Sequence, residues 1–146
     1  MRIAPLALIL SLTLGLTLGG AAFGAAVMTV KDEMKSIVDP ATNIIFAVGG
    51  EVDPANGPDT AKVPAARWSE ALAAAQVLRM SATDLTGPQK QPGEVWTKSA
   101  ADFAKLAANA ETAATNKDGA AFSAAANGLG DTCTACHSKY KTQAGD

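Results

Sequence analysis

Both cysteines and the only histidine of this 146-residue chain stand together near its end, in Cys133-Thr134-Ala135-Cys136-His137. No other feature constrains the fold as much, because this is the spacing of covalent c-type haem attachment. Two thiols on one helical turn can add across the two vinyl groups of a haem edge. The next residue then projects an imidazole towards the iron as proximal ligand. Rival uses of the motif fit less well. A redox dithiol usually opens a helix after a strand, whereas this pair closes an Ala-rich helical stretch. A structural zinc site wants four nitrogen or sulfur ligands, and the chain offers three. A plain disulfide leaves the solitary His137 unexplained.

The beginning of the chain points outside the cytoplasm. After Met1-Arg2 no charge appears from Ile3 to Val30. An apolar run centred on Leu6–Leu18 is followed by small residues, the pattern of a secretory signal peptide. Residues 1–26 are therefore expected to be removed, with cleavage after Gly24 or Ala26, leaving residues 27–146 as one haem-binding domain. A retained membrane anchor is the other reading, since the charge-free run is long enough to span a bilayer; its glycine-rich second half argues against that. Charge excludes one class of partner. With 12 basic and 14 acidic residues interspersed, the chain has no basic stripe for nucleic acid.

Beyond the leader, strand patterns are nearly absent, and Pro and Gly clusters divide the chain into four helical stretches. The first runs over about 28–48 with Val30, Met34, Ile37, Val38, Ala41, Ile44, Ile45 and Val48 at helical spacing. Asp39-Pro40 interrupts it, by a kink or by a restart with Pro at the first position. The second covers about 64–85, carrying Trp68, Leu72, Ala75, Leu78 or Arg79, and Ala82 along one side. The third covers about 94–116, with Trp96, Ala100, Phe103, Ala107 and Ala110. The fourth starts behind Asp118, an N-cap, and runs to about 141. Its stripe is Phe122, Ala125, Leu129, Cys133, Cys136 and Tyr140, which turns both cysteines inward. Gly128 and Gly130 cost this helix roughly 1 kcal/mol each, so close approach of a flat group or neighbouring backbone is expected there. The fold class is all-α, an antiparallel four-helix bundle with covalently bound haem near the C-terminal helix. Its faces are rich in Ala and poor in large side chains, so a haem packed among the helices is expected to supply missing volume.

A leader, four helices and a tail reading Cys133-x-x-Cys136-His137-x-x-Tyr140-Lys141 together resemble the class II c-type cytochromes, the cytochrome c prime family with its low-spin, Met-ligated relatives. Only the tail carries a specific motif; the rest of the likeness is architectural. The resemblance implies one haem c attached through Cys133 and Cys136, with His137 proximal and the first helix facing the sixth position. That singles out Met34, in a stretch like the first helix of the Met-ligated relatives. Met34 as core filler over a five-coordinate iron is the other reading, with Met80 as the substitute ligand. Tyr140 would lie against the haem edge and Lys141 near a propionate or the proximal side; an ordinary half-buried aromatic and a solvated terminal lysine are the plainer roles. The family often dimerises through its first two helices, and Ala71, Ala73, Ala74 and Ala75 would permit such packing.

The function this implies is periplasmic electron transfer by a mono-haem cytochrome, not enzymatic catalysis, with periplasmic redox proteins met through a transient interface. The alternative is a five-coordinate protein that binds nitric oxide or carbon monoxide. A thiol oxidoreductase remains only for a chain without haem.

Overall fold

The structure is a computed structural model, and it describes residues 28–53, 55 and 63–141; the expected leader lies outside them. Four antiparallel helices pack in chain order. Helix α1 is composite: α-helical Val30–Glu33, a π-helical turn Met34–Val38, and α-helical Asp39–Glu51. Helices α2, α3 and α4 span Ala65–Thr86, Glu94–Asn116 and Gly119–Tyr140. There is no strand among the described residues, and none of their helices is long and apolar enough to cross a membrane.

Local chemistry sets the ends. The Thr29 hydroxyl accepts from Asp32 N–H at 3.1 Å, capping α1, and Asp32 and Glu33 suit the positive end of the helix. Asp118 caps α4 by accepting from Ala121 N–H at 3.0 Å. Between α3 and α4 the chain reverses in two residues, with Lys117 left-handed at φ 54°. Pro40 neither breaks α1 nor leaves it regular. Its ring would crowd the carbonyl one turn back and it has no N–H to donate. The wider turn before it relieves both problems, with Asp39 N–H reaching back to Met34 C=O.

The helical faces run largely as the periodicity predicts. Trp96, Ala100, Phe103, Ala107 and Ala110 are all buried on α3, as are Phe122, Ala125 and Leu129 on α4. On α2 the buried face turns further than expected: Ala71, Ala74, Ala75, Leu78, Ser81 and Ala82 are covered, Leu72 is half-buried, and exposed Arg79 pairs with Glu111 on α3 at 2.7 Å. That register corrects the expected small-residue surface for dimerisation. Ala71, Ala74 and Ala75 face the bundle's own core, leaving Ala73 outside.

The Ala-rich faces enclose a core of their own. Alanine faces let the helices approach closely, and the remaining large side chains fill what is left. Ile45, Val48, Leu78, Phe122 and Leu129 have no exposed surface. Trp68 meets Phe122 edge to face at 5.7 Å, a geometry aromatic quadrupoles favour.

The glycines report the same closeness. A Cβ on Gly49 would lie 2.7 Å from Ala126 Cβ across the α1–α4 contact, whereas one on Gly50 would meet nothing within 4 Å. Ala in a helix is favoured over Gly by about 1 kcal/mol, but overpacking costs about 1–3 kcal/mol. Gly50→Ala should therefore raise the melting temperature and Gly49→Ala lower it; matched thermal melts of the two variants test this. On α4, the neighbour that compensates Gly128 is a side chain, Leu106, whose Cδ2 would be 2.7 Å from an added Cβ; Gly130 has open space and no such reason.

One carboxyl group lies inside. Glu33 is 2% exposed, and burial pushes its pKa above the usual 4.5, reinforced by Asp84 and opposed by hydrogen bonds from Ser81 and Gln89. Gln89 Nε2 donates to Glu33 Oε2, while Glu33 Oε1 and Gln89 Oε1 are buried acceptors without partners. A proton on Glu33 removes the buried charge. Since the folded pKa exceeds the unfolded one, Glu33 costs nothing below about pH 4.5 and lowers stability as pH rises through its folded pKa. Glu33→Gln should abolish that slope and stabilise the protein at pH 7 by about 1–2 kcal/mol, the scale of satisfying a buried acceptor. The difference between wild-type and variant melts from pH 4 to 8 isolates the effect.

Candidate haem site

The end of the bundle that holds the first turns of α1 and the last turns of α4 encloses a cavity. Met34 and Val38 line it from α1, Leu85 from the end of α2, Trp96, Ser99, Ala100 and Phe103 from α3, and Cys133, Cys136 and His137 from α4. The helical spacing explains each set. Steps of three and four residues put Met34 with Val38, Trp96 with Ala100 and Phe103, and Cys133 with Cys136 on single faces. The π turn begins at Met34, so the residue expected opposite the motif sits where α1 departs from regular geometry.

Apart from the sulfur and imidazole groups, Ser99 is the one polar side chain in the lining. Both cysteines are free and half-buried. Burial pushes both thiols up, with the proximity of Cys136 adding to the effect at Cys133. A thiol oxidoreductase needs the opposite, a thiolate favoured by positive charge or a helix N-terminus; these thiols stand near a C-terminus, where the helix field opposes them. His137 is at the exposed rim, and its pKa is lowered by partial burial and then by the charge of Lys141. Both effects favour the neutral imidazole, the form that binds metal. Among the described residues no group of three or more His, Cys, Asp or Glu converges to hold a metal ion.

The donor chemistry fits a c-type haem. Two thiols three residues apart share a wall with an imidazole, a thioether projects from α1, and the surfaces between are apolar. The cavity has a volume of about 40 Å³. The other residues singled out in the sequence stand elsewhere. Tyr140 lies outside the lining and packs edge to face on Trp96 at 5.3 Å, with its hydroxyl donating to Pro92 C=O at 3.3 Å. Lys141 is exposed beyond the end of α4. Met80 is 60% exposed on α2 and far from serving this cavity. Trp96 and Phe103 are core and cavity wall at once. Leu85, Ser99 and Ala100 had only their place on inward faces to mark them.

A family model described as Cytochrome C' matches residues 59–141, more than half of the chain. No curated protein and no solved structure matches it.

Proposed function

This chain belongs to the Cytochrome C' family, a family of haem-binding c-type cytochromes, and from that premise we propose that it is an electron-transfer cytochrome of the periplasm. In this reading Cys133 and Cys136 would hold one haem c covalently, and His137 and Met34 would supply the protein ligands to its iron. The observation that carries it is the shared cavity of Met34, Cys133, Cys136 and His137. When bound, the haem supplies a one-electron iron couple. The chain's own contribution would be the imidazole of His137, the thioether of Met34, and apolar walls from Val38, Leu85, Trp96 and Phe103. A thioether favours the reduced iron and raises the potential. Export through the N-terminal segment would bring the chain to where such haems are attached. Its partners would be other redox proteins, met through interfaces below about 1,200 Å².

A second reading keeps the same site but leaves Met34 uncoordinated, a half-buried side chain covering a five-coordinate iron that takes up nitric oxide or carbon monoxide. Potentiometric titration of the holoprotein, followed in the visible bands, separates the two. Electron transfer predicts a reversible one-electron couple at a positive potential, little altered by carbon monoxide. A low potential that carbon monoxide shifts strongly upward would support gas binding instead.

A further inference from the structure

Glu33 immediately precedes Met34 and is the one carboxylate buried among the described residues. An apolar side chain would serve a core position at less cost, so its partners matter. Its carboxylate accepts from Gln89 Nε2, a side chain of the loop between α2 and α3. The loop is itself anchored at both ends. Gln89 N–H donates to Asp84 C=O at 2.9 Å. Near the other end, Pro92 C=O accepts from Tyr140, three residues beyond His137. Gly93 adopts φ +122° against the same hydroxyl, where a Cβ would stand 2.8 Å from the oxygen. One short loop thus ties the turn bearing Met34 to the turn bearing His137.

We propose that Gln89 is a positioning residue for Met34, acting through Glu33. Consecutive residues of a helix are fixed in angle to one another, so holding the Glu33 side chain sets the rotation of the turn and the direction of Met34. The π geometry that starts at Met34 departs from the regular α turn, and the anchor outside the helix holds the residue before it. This inference rests on Met34 being the distal ligand.

The test compares holoproteins of wild type, Met34→Ala, Gln89→Leu, Glu33→Leu and Glu33→Gln, reading the ferric spin state and the carbon monoxide affinity of the ferrous form. Carbon monoxide competes with the thioether, so weakening one buried hydrogen bond should raise its affinity about tenfold in Gln89→Leu. Glu33→Leu should do the same, with a larger high-spin fraction, while circular dichroism stays that of wild type. Glu33→Gln should behave as wild type, because an amide at this position can still accept from Gln89. A change in Met34→Ala with none in Gln89→Leu overturns the role of Gln89 alone. Loss in Glu33→Gln equal to that in Glu33→Leu overturns the hydrogen-bond route. No change in Met34→Ala overturns the ligand assignment and this inference with it.

Discussion

Replacing Cys133 and Cys136 together by alanine is expected to leave a chain with no covalently bound haem, when expressed beside the haem-maturation machinery that loads the wild type. The two thiols are free, share one face of α4 and stand in the cavity wall, and no other cysteine exists in the chain to replace them. Extraction with acidified acetone should remove all haem from the double variant and none from the wild type, since a thioether survives that treatment and coordination does not. Each single variant should keep one thioether and hold its haem. His137→Ala should keep the haem attached while removing the only imidazole available to the iron. Pigment that resists extraction in the double variant would remove the motif from the account.

Met34→Ala should convert a low-spin haem to a fully high-spin one and open the sixth position to carbon monoxide. Met34 is the one methionine in the cavity lining. Met80→Ala should change neither property, because Met80 is 60% exposed on the outside of α2. Electron paramagnetic resonance of the ferric proteins and carbon monoxide titration of the ferrous ones read the two effects separately. A low-spin signal that persists in Met34→Ala would assign the distal position to another residue.

Much of this site is legible in the sequence because its parts obey helical spacing. Phe122, Ala125, Leu129, Cys133 and Cys136 repeat at three and four residues, which fixes the inward face of α4 before any coordinates. The match of α3 is as close, from Trp96 through Ala110. What periodicity cannot carry is helix rotation where several faces are equally small. Ala71 to Ala75 on α2 look alike from either side, and only packing decides that Ala73 is outside while its neighbours are core. The same limit hid how well alanine fills a bundle: short side chains bring helices together, so few large residues are needed. Loss of the haem should therefore loosen the Met34–His137 end, while the Trp68–Phe122 end stays packed. The Glu33–Gln89 contact was out of reach for a different reason. It joins residues 56 positions apart, and nothing in a charged residue at an exposed-looking helix start marks it as buried.

The central claim is that His137 and Met34 hold the same iron, and the far-red absorption of the ferric holoprotein addresses it most directly. Sulfur-to-iron charge transfer from a thioether ligand gives a weak band there, beside the visible bands of a low-spin haem. The account predicts that band in the wild type and its disappearance in Met34→Ala. A wild-type protein that is high-spin, with no thioether band, would contradict it.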